Sequence, residues 1–296
     1  MPTVLVTGAS TGIGRATALR LAGAGWTVLA GVRTPEAAER LLANAGGGEV
    51  GVTGRGETDG ASRSGGRLVP ITLDIVDHDH VAQVTDLVEE HAGGFLDALV
   101  NNAGVAVGGP IELLPLERVR EQMEVNFFGH LAVTQALLPA LRRAHGRIVL
   151  ISSIGGRVTT PFMAPYHASK YAIEALGDAL RIELGRSHIQ VALVEPGSIA
   201  TPIWGKGGPQ IESLEIPAEL REQYGHVPAA MERVLRDTER RGIPPERVAA
   251  TIEHALRARR MHARYLVGRD AQMMVWAKRL LPAHLLDRLI ARALHV

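Results

Sequence analysis

The sequence predicts an α/β fold: a Rossmann-like, doubly wound parallel sheet of about seven strands with helices on both faces. Two observations predict it. Short runs of Val, Ile, Leu and Ala, apolar on both faces, are typical of parallel strands that helices cover on both sides. Longer amphipathic segments alternate with these runs, and such β-α-β-α alternation implies right-handed crossovers in one sheet. The runs are 4–7, 27–32, 68–73, 98–101, 147–152 and 191–196, with a seventh short strand at 265–267.

Helical patterns fill the intervals between these strands. They cover residues 15–24, 36–44, 79–91, 116–143 and 168–185. We interpret the whole chain, 1–296, as a single nucleotide-binding domain with three irregular parts. Residues 46–66 are rich in Gly, Ser and Thr, which predicts a flexible surface insertion. Residues 202–228 mix Pro and Gly with scattered apolar residues and predict a lid over a substrate, and residues 270–296 form a basic C-terminal extension.

The composition excludes several classes of function. Hydrophobic residues make up 46% and charged residues 21%, as in soluble globular proteins, and the net charge of +1 provides no overall attraction to nucleic acid. The absence of cysteine excludes disulfides, zinc–thiolate sites and a cysteine nucleophile. Neither a signal-peptide pattern nor an apolar run of about 18 residues, the length of a membrane span, is present. These features lead us to expect a cytoplasmic enzyme.

A glycine-rich turn follows the first strand. Residues 7–14 read TGASTGIG and lead directly into a helical pattern. Glycine adopts positive φ and lets backbone approach a ligand, while free N–H groups at a helix N-terminus bind phosphate. This placement predicts a pyrophosphate site, although a turn needed only for packing would have the same composition. The candidate nucleotide-binding residues of the turn are Gly8, Ser10, Thr11, Gly12, Ile13 and Gly14.

The end of the second strand indicates which nicotinamide nucleotide would bind. In a dinucleotide site this position faces the adenosine ribose, where a carboxylate binds the free 2′-hydroxyl and repels a 2′-phosphate. Here no carboxylate precedes Arg33, and a guanidinium binds phosphate through charge-assisted hydrogen bonds. The sequence therefore favours NADP(H), with NAD(H) possible if Arg33 is only a solvated residue after the strand.

Three residues suggest proton-transfer chemistry. Tyr166 and Lys170 are four apart at the start of a helical pattern, so both project from one face. A phenol with a pKa of about 10 is a poor base at neutral pH, and a neighbouring ammonium is expected to lower that pKa. Ser153 follows the fifth strand, where its hydroxyl could stabilise charge developing on a substrate oxygen. Ser152 is the competing serine, and a Ser in this place is otherwise a turn cap.

These motifs, in this order, resemble the short-chain dehydrogenase/reductase family in its single-domain form. The resemblance rests on TGASTGIG (7–14), NNAG (101–104), Ser153 with Tyr166 and Lys170, and PG (196–197), and covers about residues 3–202. The strand-two sequence and extended tail are similar to the steroid and retinol dehydrogenase branch. The family implies hydride transfer between an alcohol or carbonyl carbon and nicotinamide, with Tyr166 transferring the proton.

The resemblance also implies roles for further residues. Asn126 is expected to hold a proton-relay water through the helix backbone, and Lys170 to bond the nicotinamide ribose beside Tyr166. Assembly is expected to be a homodimer or homotetramer through the helices that carry Asn126 and Tyr166. The remaining residues expected around the nucleotide are Asp74 and Ile75 at the adenine, Asn101, Asn102, Ala103 and Gly104 on the adenosine side, and Pro196, Gly197, Ile199 and Thr201 around the nicotinamide.

The substrate is expected to be a small apolar alcohol or carbonyl compound: lipid-, steroid-, retinoid- or polyketide-like. Candidate walls are Val105, Val158, Met163 and Trp204, all apolar, although a folded lid needs the same residues. A 3-ketoacyl-type reductase and a non-catalytic NADP(H)-sensing regulator on the same fold are the alternatives. The sensor would normally show a broken Tyr–Lys pair or a missing Ser.

The tail and the histidines leave further alternatives. Leucines, methionines and Trp276 recur near helical spacing in residues 257–296, which carry an excess of Lys and Arg. This pattern fits a helix packed on the core or on a second subunit, a cover over the substrate pocket, or an amphipathic helix on a membrane surface. His78 and His80 are interpreted as part of a solvated helix cap rather than a metal site, and no role is assigned to His167.

Overall fold

The computed structural model describes residues 1–45, 65–201, 203 and 215–294. Its strands are β1 (Thr3–Val6), β2 (Thr27–Val32), β3 (Arg67–Thr72), β4 (Ala98–Asn101), β5 (Arg147–Ile151), β6 (Gln190–Pro196) and β7 (Arg264–Val267). Its α-helices are α1 (Gly12–Gly23), α2 (Pro35–Asn44), α3 (His78–Ala92), α4 (Leu116–Met123), α5 (His130–Ala144), α6 (Ala164–Glu183), α7 (Arg221–Tyr224), α8 (Val227–Arg241), α9 (Pro245–Arg257), α10 (Arg269–Leu280) and α11 (Ala283–Leu294).

The predicted fold class is confirmed. All seven strands form one parallel sheet in the order β3-β2-β1-β4-β5-β6-β7. The strand order reverses between β1 and β4, where Val6 lies opposite Ala30 on one side and Val100 on the other. Ligands of open α/β sheets bind at the carboxyl ends of the strands beside such a reversal. The topology thus places the glycine turn after β1 and the NNAG segment after β4 at one crevice.

Each face of the sheet carries its own hydrophobic core. On one face, Leu21 of α1 and Ile252 of α9 pack on strand residues such as Val28. On the other, Val88 of α3 and Leu137 of α5 pack with Leu99 and their neighbours, and all of these side chains are buried. Burial on both faces explains why most strand positions are apolar rather than alternating with polar ones. The edge strand β3 differs at its two ends, where Arg67 and Thr72 are exposed.

Two predicted helices differ from those observed. The segment 116–143 contains α4 and α5 joined by a six-residue π-helix, Glu124–Gly129, rather than one α-helix. Helix α6 begins at Ala164 instead of Ala168, with Pro165 in its first turn. Proline is tolerated there because first-turn N–H groups have no intrahelical acceptor. Tyr166 and Lys170 consequently both lie within the first two turns of α6.

Two of the predicted irregular segments fall partly outside the described residues. Of the 46–66 insertion only Gly65 and Gly66 are described, and of the 202–228 lid the described part is 203 and 215–228. The latter contains a short 3₁₀-helix (Ala218–Leu220), α7 and the start of α8. In the C-terminal extension, α10 and α11 are described up to Leu294. No helix within the described ranges is long and apolar enough to cross a membrane.

Candidate active site

The glycine turn has a geometry that only glycine fits at two places. Gly8 has a φ of +65° and Gly12 a φ of +55°, in the left-handed region that L side chains rarely adopt. Gly14 has no room for a side chain: a Cβ there would lie 2.3 Å from the Gly8 carbonyl oxygen and 2.4 Å from Nδ2 of Asn102. The N-terminus of α1 therefore opens onto the crevice with backbone alone, which is what a bound pyrophosphate needs.

Thr7 and Asn102 fasten this turn to β4. The Asn102 side-chain amide donates to the Thr7 carbonyl (2.9 Å) and the Gly8 carbonyl (3.2 Å). In return, the buried Thr7 hydroxyl accepts from the N–H groups of Asn102 (2.9 Å) and Ala103 (3.0 Å). Sequence reasoning placed Asn102 near the nucleotide but gave Thr7 no part. No sequence pattern distinguishes Thr7, whose hydroxyl accepts these two hydrogen bonds at the end of β1, from any other buried threonine.

Most of the predicted site residues line one cleft of about 380 Å³ at the carboxyl ends of the strands. Arg33 lies at this cleft and is exposed, and it has no hydrogen bond or ion pair among the described residues. The others lining the cleft are Gly8, Ser10, Thr11, Gly12, Ile13, Asp74, Ile75, Asn102, Ala103, Gly104, Ser153, Tyr166, Lys170, Pro196, Gly197, Ile199 and Thr201. Three predicted residues, Gly14, Asn101 and Asn126, do not line it.

Asn101 departs from the prediction because its side chain is buried behind the cleft. Its amide donates to the Thr134 hydroxyl (2.8 Å), and its carbonyl lies 3.3 Å from Nδ1 of His130. Nε2 of His130 lies 2.7 Å from the Ala103 carbonyl oxygen. Burial lowers the His130 pKa to about 3, so the ring is neutral. His130 thus links the Asn101 side chain to the Ala103 carbonyl and supports the NNAG segment, a role that sequence spacing did not indicate.

Asn126 lies in the π-helix and binds the chain that follows β4. Its side-chain oxygen accepts from the Val105 N–H (2.9 Å), and its amide donates to the Val105 carbonyl (3.0 Å) and to Ser169 Oγ (3.1 Å). The Ser169 hydroxyl in turn donates to the Tyr166 carbonyl (2.7 Å). The fully buried Asn126 therefore connects the β4 loop to the first turn of α6, which holds Tyr166 in place.

Ser153, Tyr166 and Lys170 converge at the centre of the cleft. Ser153 caps a short 3₁₀-helix (Ile154–Gly156) by accepting from the Gly155 N–H at 3.0 Å, and its hydroxyl also hydrogen-bonds the Tyr166 side chain. Nζ of Lys170 donates to the Ile151 carbonyl (2.9 Å) and lies 5.8 Å from the Tyr166 ring centre. All three side chains are buried or nearly so.

The pKa of Tyr166 differs from the prediction. We expected the Lys170 ammonium to lower it, but burial of the phenol raises it, and the Ser153 hydrogen bond opposes this only in part. Burial also lowers the Lys170 pKa to about 8, while the charge of Glu174, one turn further along α6, raises it. Desolvation outweighs the pairing that the sequence spacing suggested, because both groups lie inside the protein.

The loop after β6 is anchored by the end of β7 and the start of α10. The Gly197 N–H donates to the Val267 carbonyl (2.9 Å), and the Ser198 N–H donates to Asp270 Oδ2 (2.7 Å). Directly before this loop, the buried Glu195 accepts from Arg157 (3.0 Å) and pairs with Arg264 (3.1 Å). Burial and the nearby Glu174 raise the Glu195 pKa to about 7. Sequence reasoning missed this ion cluster, because its members are far apart along the chain.

The outer part of the cleft is largely apolar. Val105, Val158 and Met163 line it as predicted, while Trp204 lies outside the described residues. Much of the remaining wall comes from α8, which was not identified from the sequence. The α8 residues that line the cleft are Ala230, Met231, Val234, Leu235 and Thr238.

The C-terminal helices show features of all three interpretations of the tail. Ala271 and Leu286 are buried, as a helix packed on the core requires, and Met274 lines the cleft, as a cover over the pocket requires. Trp276 and Leu280 remain 58% and 72% exposed, which leaves an apolar face toward solvent. Helix α10 therefore forms part of the pocket wall with Met274 and has an exposed apolar outer face with Trp276 and Leu280.

The histidines near the start of α3 do not cap that helix. Asp77, rather than a histidine, caps α3 by accepting from the N–H groups of Asp79 and His80. Within the described part of the chain, no group of three or more His, Cys, Asp or Glu could hold a metal ion. His167, to which the sequence assigned no role, is buried, lines the cleft, and lies 5.7 Å from the Tyr166 ring centre.

A seven-stranded parallel sheet with a glycine-turn crevice and a buried Ser–Tyr–Lys set defines a nucleotide-dependent oxidoreductase of the Rossmann type. The chain belongs to the short chain dehydrogenase family, whose model matches residues 2–211.

Similar proteins cover nearly the whole chain. It is 33% identical to an NADPH-dependent 3-dehydrocapnine reductase of Ornithobacterium rhinotracheale, over 98% of this chain and 96% of that protein. It is 35% identical to retinol dehydrogenase 5 of Mus musculus, over 97% of this chain and 87% of the relative. A solved short-chain dehydrogenase from Streptomyces avermitilis is 30% identical, with a TM-score of 0.74, over 94% of this chain and 92% of that one.

Proposed function

We propose that this chain interconverts an apolar secondary alcohol and ketone, or a primary alcohol and aldehyde, using NADP(H). The observation that carries the proposal is the convergence of Ser153, Tyr166 and Lys170 in the same cleft as the glycine turn. The similarity to an NADPH-dependent reductase and to a retinol dehydrogenase supports the reaction class and the substrate polarity. Consumption of NADPH in the presence of apolar ketones, lost when Tyr166 is replaced, tests it.

The residues present fit a dinucleotide. Positive φ at Gly8 and Gly12 and the absence of space for a Cβ at Gly14 form a backbone cradle for the pyrophosphate. Arg33 would pair with the 2′-phosphate, Asp74 and Ile75 would hold the adenine, and the loop beginning at Pro196 would surround the nicotinamide. When bound, the nucleotide supplies or accepts the hydride.

In the proposed mechanism, Tyr166 donates a proton to the substrate oxygen during reduction and accepts it back during oxidation. Ser153 donates a hydrogen bond to the same oxygen while it carries negative charge. The protonated Lys170 stabilises the phenolate and binds the ribose hydroxyls. Asn126 keeps the first turn of α6 in register through Ser169 and supports a relay water at the π-helix.

The sensor alternative is less well supported, because the Ser, Tyr and Lys are all present and buried together. A 3-ketoacyl-type reductase would use the same chemistry and would differ from our proposal only in its substrate.

We further propose a cytoplasmic homodimer or homotetramer built on α4–α5 and α6. Phe128 and Ile182, apolar residues on the π-helix and α6, are 49% and 78% exposed and would be covered in such an assembly. Sedimentation velocity tests this.

Replacing Arg33 with Ala is expected to weaken NADPH binding about 10- to 100-fold and to leave NADH binding unchanged. The physical reason is the loss of one charge-assisted contact to the 2′-phosphate, which NADH lacks. Titration calorimetry with each nucleotide measures both affinities. Arg40→Ala is the matched control, since Arg40 is another exposed arginine on the helix that follows. An unchanged NADPH affinity in Arg33→Ala would remove Arg33 from the site.

Replacing Glu174 with Gln is expected to move the alkaline limb of the pH–rate profile down by about one unit. The Lys170 pKa is about 8, and turnover should fall as the pH rises through it and the ammonium is lost. Because the Glu174 charge raises that pKa, removing the charge lowers it further. Asp178→Asn is the control: Asp178 also bonds Arg264 but does not shift Lys170. If the alkaline limb of the pH–rate profile lay at the same pH in Glu174→Gln and Asp178→Asn, the Glu174 charge would not be what raises the Lys170 pKa.

A further inference from the structure

His167 has an N–H group that nothing else in the described structure uses. Its Nδ1 accepts a hydrogen bond from the Thr160 backbone N–H at 3.2 Å. A backbone amide only donates, so Nδ1 must carry the lone pair. Burial lowers the His167 pKa to about 4, which keeps the ring neutral at physiological pH. The single ring proton is therefore on Nε2, which has no hydrogen-bond partner among the described residues.

The imidazole edge that carries this N–H lies against Gly155. A Cβ at Gly155 would lie 2.5 Å from His167 Cδ2, 3.0 Å from Nε2 and 3.4 Å from Ser153 Oγ. Glycine at this position thus leaves room for the imidazole edge in the cleft wall, close to the Ser153 hydroxyl. The side chains of Val158 and Met163, which also line the cleft, carry no N–H or O–H donor.

We propose that His167 Nε2–H forms a second polar subsite, which binds an acceptor oxygen on the atom next to the reacting carbonyl of the substrate. The preferred substrates are then apolar ketones that carry a neighbouring carbonyl, rather than simple ketones. This inference rests on the proposed function, since Ser153 and Tyr166 are taken to hold the reacting oxygen. When a substrate fills the cleft, it removes the His167 Nε2–H from water. A substrate with an acceptor oxygen replaces the lost hydrogen bond, whereas one without leaves the N–H unpaired and therefore binds less well.

Two ketones that differ by one oxygen test the subsite. Propiophenone and phenylpropanedione share a carbon skeleton, and the dione has a carbonyl where propiophenone has a methylene. We expect His167→Phe to lower the ratio of kcat/KM for the dione to that for propiophenone roughly ten-fold. His167→Gln, which places an amide N–H near Nε2, should restore most of the ratio. Taking the ratio cancels the intrinsic reactivity of each ketone and any general damage to the fold.

A binding measurement separates this inference from the proposed function. Calorimetric titration of the nucleotide-saturated protein should show about ten-fold weaker dione binding in His167→Phe and no change for propiophenone. If neither ketone is reduced but this difference in binding persists, the proposed reaction fails and the subsite stands. If both ketones are reduced and bound with unchanged ratios in His167→Phe, the subsite is wrong and the reaction stands.

Discussion

Replacing Tyr166 with Phe is expected to lower turnover about 10²- to 10⁴-fold while nucleotide affinity remains within about two-fold of the wild type. The substitution removes the proton that the substrate oxygen needs and leaves the aromatic ring in its buried position. Because the Tyr166 hydroxyl also bonds Ser153, some of the loss comes from the freed serine. Steady-state kinetics with an apolar ketone and equilibrium titration with NADPH measure the two quantities separately.

The matched control is Tyr171→Phe. Tyr171 is on the same helix, but its hydroxyl donates to the Arg157 carbonyl and accepts from Lys278, away from the cleft that holds Tyr166. Its loss should change turnover by less than about three-fold. Equal turnover in Tyr166→Phe and Tyr171→Phe would show that the proton comes from another group.

Replacing Gly14 with Ala is expected to weaken nucleotide binding by at least about 100-fold and to destabilise the protein by about 1–3 kcal/mol. The new Cβ would lie 2.3 Å from the Gly8 carbonyl oxygen and 2.4 Å from the Asn102 amide. Both atoms are held by the hydrogen bond between them, so the turn has to open and Asn102 has to release it. Urea unfolding and NADPH titration measure the two effects.

Gly23→Ala is the control for helix propensity in the same helix. A Cβ at Gly23 meets nothing within 4 Å, so alanine should leave nucleotide affinity unchanged and raise stability by up to about 1 kcal/mol. If Gly14→Ala bound NADPH as tightly as Gly23→Ala, the backbone cradle would not be the pyrophosphate site.

The sequence predicted the sheet and the glycine turn because both leave strong local signals. Parallel strands buried on two faces are apolar at most positions. The positive φ values at positions 8 and 12 favour glycine, so the turn is visible as glycines in the sequence. The same holds for the Tyr166–Lys170 spacing, since side chains four apart on a helix lie on one face. Local patterns therefore indicated the glycine turn, Arg33 and the Tyr166–Lys170 pair with Ser153, while the other candidate site residues came from the family resemblance.

The features that sequence reasoning missed are all tertiary. Nothing local distinguishes Thr7, which fastens the turn to β4, or His130, which supports the NNAG segment from 27 residues away. His167 adjoins Tyr166 in the sequence, yet its place in the cleft depends on Gly155 and Thr160 from another segment. Likewise, burial raises the pKa of Tyr166, although the neighbouring lysine suggested the opposite.

Isotope transfer from reduced nucleotide to product is the most direct measurement of the proposed chemistry. NADPH deuterated at the transferring carbon of the nicotinamide is incubated with the protein and phenylpropanedione, and the product is analysed by mass spectrometry. We expect one deuterium on the new carbinol carbon, at a rate that falls with Tyr166→Phe as NADPH oxidation does. Nucleotide binding with no deuterated product, across this dione and a panel of apolar ketones and aldehydes, would contradict the oxidoreductase proposal and favour a nucleotide-sensing role.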